Sequence, residues 1–247
     1  MSIAIIGVDC AAQAKNTGLA RAIQSGEGLV VDDARCASSK ASAASIVAEW
    51  VRESERVLLA LDAPLGWPAE LGRALASHQA GEPLAPKAHA MFRRMTDDEI
   101  CGRLKKRPLE VAADRIARAA HAALQFLEEL RQILGCPVNL LWSPTELRRI
   151  GVIEVYPAAT RITLGAPRGP GSLAGLEARV RFRDGAAPTS EHARDAVVCT
   201  ISGAEFLSGR LIAPTGGQEA QARREGWIWA GPSPSATDNA QADAHPS

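Results

Sequence analysis

Two aspartates, each ending a run that reads as a buried strand, are the first residues here whose type and placement could do chemistry. Ile3-Ala4-Ile5-Ile6-Gly7-Val8 leads into Asp9, and Val57-Leu58-Leu59-Ala60-Leu61 leads into Asp62. A continuous apolar run suits a strand covered on both faces, so the carboxylate at its end is delivered to the rim of a sheet. Carboxylates brought together repel, and they do not all stay ionised at neutral pH without cations between them. Far along the chain His192 precedes Asp195 by three residues in a helical stretch, a spacing that puts both on one helix face. Each aspartate also has an ordinary use, Asp9 as a turn former and Asp62 as the opener of the Ala63-Pro64 loop.

The elements that must position these acids follow from hydrophobic period and turn chemistry. After the first strand, residues 17–23 and 28–34 are short strands around the turn-like Gln24-Ser25-Gly26-Glu27, which implies an antiparallel meander. Ser38 and Ser39 can cap a helix to residue 53, with Ile46, Val47, Trp50 and Val51 as its apolar stripe. A right-handed crossover then sets the strand ending in Asp62 parallel to the first, with both acids on one edge.

Residues 69–107 read as an irregular or short-helical insertion, and Pro108 suits the first turn of a long helix ended by Gly135. A strand over 152–156 stops at Pro157, and residues 165–172 form a loop. The last helix, capped by Thr189 and Ser190, runs to Leu207. Residues 225–229 are apolar enough to return to the core. One domain over 1–231, followed by a disordered tail at 232–247, accounts for the whole pattern.

Composition narrows the function. The 247 residues are 46% hydrophobic, ample for a core, and carry 28 basic and 28 acidic side chains, so no whole-molecule field draws the protein to nucleic acid or to an anionic membrane. Any such partner must be met by a local patch. Five scattered cysteines without zinc-ligand spacing read as reduced thiols of a cytoplasmic protein. No stretch approaches the ~20 apolar residues of a membrane span.

Taken together, Gly7-Val8-Asp9, Leu61-Asp62-Ala63-Pro64-Leu65-Gly66, Glu154-Val155-Tyr156-Pro157, His192-Ala193-Arg194-Asp195-Ala196 and Glu225-Gly226-Trp227-Ile228 resemble the DUF429 family, described as predicted nucleases of the ribonuclease H-like superfamily. The resemblance implies an α/β fold with a mixed five-stranded sheet of order 3-2-1-4-5, helices on both faces, and metal-dependent cleavage of phosphodiester bonds. Hard oxygen ligands select Mg²⁺ or Mn²⁺. By this scheme Asp9, Asp62 and Asp195 are the metal ligands, and Glu154 is an outer ligand or proton acceptor. His192 is a ligand or proton shuttle, and Glu191 or His192 is an alternative third ligand to Asp195. Glu154 could equally point outward from an edge strand, and His192 could simply interact with the start of its helix.

Residues 87–118 hold nine basic side chains against five acids, a candidate phosphate-contact surface. Within it Arg93, Arg94 and Asp97 also fit the family pattern, whereas Lys105-Lys106-Arg107 reads better as a solvated face. Lys15, in the loop after the first strand, could approach a phosphate. Aromatic residues are only 4% of the chain, too few for a base-stacking platform. The substrate expected is nucleic acid or a nucleotide, with no membrane partner and oligomeric state left open, a homodimer included. Two other functions compete. One is an ATP-binding phosphotransferase of the actin or sugar-kinase type, for which the chain is short and lacks a phosphate-binding glycine motif. The other is a non-catalytic interaction module.

Overall fold

The two apolar runs become neighbouring central strands. In the computed structural model, which describes residues 2–38, 41–112, 114–167 and 169–233, β1 (Ile3–Asp9) lies between antiparallel β2 (Gly18–Ser25) and parallel β4 (Val57–Asp62). β3 (Gly28–Cys36) extends the meander, and β6 (Ile150–Glu154) runs parallel to β4. These five strands have the expected ribonuclease H-like order. Two-residue strands β5 (Asn139–Leu140) and β7 (Arg181–Phe182) add short ladders at the edges, giving β5-β6-β4-β1-β2-β3-β7.

Side chains alternate across the sheet and so define two cores. Ala4, Ile6 and Val8 of β1 pack with Val47 and Val51 of α1 (Ala43–Arg52) and Leu127 and Leu130 of α5 (Asp114–Leu134). Ile5 points the other way, into a cluster with Val197 and Ile201 of α7 (Glu191–Leu207). Asp9 and Asp62 share the parity of Gly7 and Ala60, and therefore leave the sheet on the α7 side.

Glycine sets how close that helix comes. A Cβ at Gly7 would lie 1.9 Å from the Ala196 carbonyl oxygen, and one at Gly18 of β2 would lie 2.0 Å from the His192 carbonyl oxygen. With no side chain at either place, the α7 backbone rests directly on β1 and β2. The turn of helix bearing His192 and Asp195 is thereby held over the end of β1.

Element boundaries depart from expectation where local chemistry decides them. Ser42, not Ser38, caps α1, its side chain accepting from Ser45 N at 3.2 Å, and Ser39 lies outside the described residues. The insertion is the short-helical version: α2 (Ala69–Leu75), α3 (Ala88–Phe92) and α4 (Met95–Leu104). α4 ends at Lys105, whose left-handed φ of 51° turns the chain. The long helix consequently starts at Asp114 and not at Pro108, leaving Leu109 68% exposed. α6 (Pro157–Thr163) follows β6 almost at once, because Pro157 begins a helix as well as ending a strand. After α8 (Glu219–Glu225), residues Trp227, Ile228, Trp229 and Ala230 do return to the core, and Trp229 N donates to Glu154 O at 2.9 Å. The expected tail falls largely outside the described residues, which end at 233. No helix among the described residues is long and apolar enough to cross a membrane.

Candidate active site

Asp9 and Asp62 are cross-strand partners at the C-terminal ends of parallel β1 and β4. His192, on the first turn of α7, donates from Nδ1 to Asp9 Oδ2 at 2.7 Å, which fixes the ring with Nε2 available as a base. Burial raises the Asp9 pKa to about 6; the His192 hydrogen bond and charge oppose this, and the Asp195 and Glu191 charges add to it. Asp62 is also raised well above the ordinary carboxylate range, first by burial and then by the charges of Asp9, Asp195 and Glu154, with Arg161 the opposing charge. The Asp62 side chain has no hydrogen-bond or ion-pair partner among the described residues and stays partly open to solvent.

That isolation has a measurable cost in ion-free buffer. Because the folded pKa of Asp62 lies above the unfolded value of about 3.9, the stabilising protonated form is fully held only below that value, and it is lost as pH rises through the folded pKa. Asp62→Asn, which has no proton to lose, should melt higher than the parent at about pH 8, by roughly 2–4 °C for each kcal/mol recovered. The gap should narrow toward about pH 5. Melting curves in EDTA at several pH values test this, and a variant that melts lower at about pH 8 would contradict it.

The third expected ligand has another partner. Asp195 Oδ1 pairs with Arg161 Nη2, and Gly171 N donates to Asp195 Oδ1 at 3.1 Å and Oδ2 at 3.3 Å. Arg161, from α6, is only 2% exposed, and its Nε donates to Ser172 O at 3.0 Å. A buried guanidinium needs a carboxylate, and Asp195 supplies it. Arg194 Nε donates to Gly171 O, so the 169–172 loop is tied to α7 twice. Among the described residues no three His, Cys, Asp or Glu side chains converge closely enough to hold one ion. The expected three-acid cluster is in this structure a pair of acids beside an arginine-held third. Glu191, the alternative ligand, lies with its Cγ against Gly171.

Glu154, Arg94 and Asp97 build a buried network beside the aspartate pair. Arg94 Nη2 lies 2.8 Å from Glu154 Oε1 and donates to Asp97 Oδ1 at 2.9 Å; Nη1 donates to Glu154 Oε2 at 3.0 Å and to Glu225 O at 3.2 Å. Leu65 N donates to Glu154 Oε2 at 3.0 Å, and Glu225 accepts from Ala69 N and Met95 N at 2.8 and 2.9 Å. Arg94, Asp97 and Glu154 are all at most 3% exposed. Arg94 and Glu154 nonetheless border a cavity that Asp9 and Asp62 also line, and Asp97 does not. Glu154 holds the Ala63–Leu65 loop that follows Asp62 through Oε2, while Oε1 faces Arg94. Arg93 is buried as well, with Nε 3.0 Å from Asp98 Oδ1, while Lys15 is exposed in a 3₁₀ turn after β1.

Two cavities flank Asp62. One, of about 280 Å³, has Asp9 and Asp62 on one side and an apolar wall that includes Leu109, Ile116 and Ala119. The other, of about 500 Å³, is lined by Asp62, Asp195, Arg161, Lys106 and Pro170, and Tyr156 borders both. Lys106 is partly buried and has no ion-pair partner among the described residues, so the reading of 105–107 as a solvated face missed a cation in the cleft. Burial, with the charges of Asp62 and Asp97, pushes the Tyr156 hydroxyl up to about 12, so it is a donor throughout the neutral range. The donor set suits a hard divalent cation. Asp9 keeps Oδ1 clear of His192, Asp62 has no competing donor among the described residues, and Mg²⁺ characteristically takes one or two carboxylates and keeps water on its other positions.

The family model described as "Protein of unknown function (DUF429)" matches residues 7–219, from Gly7 of β1 into α8. The chain belongs to the DUF429 family. The matched span includes Asp9, Asp62, Glu154, Arg161, His192 and Asp195 of this DUF429 protein. No curated protein matches it. Among solved structures it is similar to one titled "T. thermophilus RuvC in complex with Holliday junction substrate", at 12% identity and a TM-score of 0.38, covering 83% of this chain and 96% of that one.

Proposed function

We propose that this DUF429 protein is a divalent-cation-dependent nuclease or phosphodiesterase whose site is centred on Asp9 and Asp62. One observation carries the reading. Two carboxylates are fixed side by side at the ends of adjacent central strands, one of them without a partner among the described residues, between cavities of which one bears Lys106 and Arg161. A positive ion relieves that repulsion, and a phosphate is the group that a cation-lined cavity beside it receives.

Asp9 through Oδ1, and Asp62, are the residues that would hold Mg²⁺ or Mn²⁺. Such an ion supplies Lewis-acid polarisation of phosphoryl oxygen and acidifies water. His192, oriented through Nδ1 by Asp9, would accept at Nε2 the proton of an attacking water. Lys106 offers charge to a phosphate in the larger cavity, and Tyr156 a hydroxyl donor between the two. Glu154 acts through Arg94 and the Leu65 amide by fixing the loop behind Asp62, and is a positioning residue.

The test is incubation of the full chain with labelled single-stranded, duplex and branched DNA and RNA in Mg²⁺ or Mn²⁺, beside Asp62→Asn. Cleavage by the parent that is absent in Asp62→Asn is the expected result. Failure to cleave any substrate in either ion, or equal cleavage in EDTA, overturns the reading. A nucleotide-induced rise in melting temperature without cleavage favours phosphotransfer.

A further inference from the structure

The surroundings of Asp195 bear on how many ions the site takes, a question that rests on the cation reading above. In a site that clamps the attacking and leaving oxygens with two ions about 3.5–4 Å apart, the third carboxylate is needed to hold the second ion. Here that carboxylate faces the Arg161 guanidinium through Oδ1, and both its oxygens accept from Gly171 N. Nothing about this pairing is incidental to the fold. Arg161 is buried, its Nε is tied to Ser172 O, and the 169–172 loop that supplies the Gly171 amide is fastened again by Arg194. Gly171 sits at φ 63° with the Glu191 side chain packed against it.

We propose that Arg161 is the site's built-in second positive charge, and that the cleft takes a single divalent cation, on Asp9 and Asp62. The guanidinium sits on the Asp195 side of Asp62, lining the same cavity as Lys106. Its charge reaches Asp62, where it opposes the effect of the neighbouring acids. A phosphate in that cavity would meet fixed cationic side chains on one side and the exchangeable ion on the other. An arginine does this work without a coordination shell to assemble, because it stays charged at any relevant pH and is held in one orientation by its partners. With only two carboxylates the ion is bound weakly and draws its remaining ligands from water and substrate, as Mg²⁺ commonly does in phosphoryl-transfer sites.

Titration of the full-length protein with Mn²⁺, followed by calorimetry and by the free-Mn²⁺ electron paramagnetic resonance signal, counts the ions without reference to activity. The parent should bind one Mn²⁺ per chain. Asp62→Asn should bind it at least ~10-fold more weakly, and Asp195→Asn should keep one ion with affinity within ~3-fold of the parent, since Asp195 spends its oxygens on Arg161 and Gly171. Arg161→Gln, if it folds, should release Asp195 and admit a second Mn²⁺. Two Mn²⁺ on the parent, a loss of binding in Asp195→Asn matching that of Asp62→Asn, or a folded Arg161→Gln still limited to one ion each overturn this inference while leaving a cation-dependent nuclease intact. No Mn²⁺ bound by the parent removes the cation reading itself.

Discussion

Arg94→Met should lower stability by about 3–5 kcal/mol, the usual consequence of removing one partner from a buried ion set. The guanidinium is fully enclosed and faces Asp97, Glu154 and the Glu225 carbonyl. Methionine fills much of the volume but leaves two buried carboxylates without a counter-charge, so the cost comes from the survivors more than from the lost bonds. At roughly 2–4 °C per kcal/mol for a chain of this size, the melting temperature should fall by about 6–20 °C. Adding Glu154→Gln should return part of the loss by neutralising one of the stranded acids. A drop of less than about 2 °C in the single variant would mean that the carboxylates are hydrated or protonated, and that the network does not hold the loop after Asp62.

Gly7→Ala, like Gly18→Ala, should be among the most damaging methyl additions to the sheet. Its Cβ would have to share space with the Ala196 carbonyl oxygen, a backbone atom that cannot rotate away. Overpacking of this kind costs typically 1–3 kcal/mol and occasionally more, and relief here requires β1 and α7 to separate. That separation carries His192 away from Asp9, so weaker Mn²⁺ binding should accompany a melting temperature lower by about 6 °C or more. Gly102→Ala is the control. It lies in α4 with nothing within 4 Å of the new Cβ, and should gain about 0.5–1 kcal/mol from helix propensity. Equal melting temperatures for the two variants would refute the close-approach account.

What the sequence made legible was whatever is written in local pattern. The runs ending in Asp9 and Asp62 could be read because a strand buried on both faces needs uninterrupted apolar residues, and their parallel pairing followed from the intervening helix. The Ser190 cap and the α7 span were equally visible, since capping and 3.6-residue periodicity are properties of neighbours. The start of α5 was misjudged because Pro108 is a permissible first helical residue. Only the left-handed turn at Lys105, a feature of the preceding helix, shows that the chain is still travelling there.

Long-range charge pairing left no such trace. Arg94 and Glu154, or Arg161 and Asp195, are indistinguishable in sequence from surface residues until the fold brings them face to face. From sequence alone Arg94 and Asp97 read as phosphate contacts with no sign that they pair with each other, and Arg161 draws no notice. Lys106 reads as part of a solvated face because it sits in a run of three basic residues; its neighbours Lys105 and Arg107 are exposed, while Lys106 is partly buried and lines a cavity with Asp62. Tyr156 belonged to a recognised motif, but only the geometry gives its hydroxyl a place between two cavities.

The clamp on Glu154 also has a history in time. Arg94 leaves the ribosome first, Glu154 follows, and Glu225 comes last, 131 residues after Arg94. At roughly 5–20 residues per second that interval is about 7–26 s, during which the charges destined for the interior remain in water. The Trp229 amide that closes onto the Glu154 carbonyl is later still. A nascent chain can thus assemble the β1–β3 meander early, but the edge that supports Asp62 matures only when synthesis of this segment is nearly done.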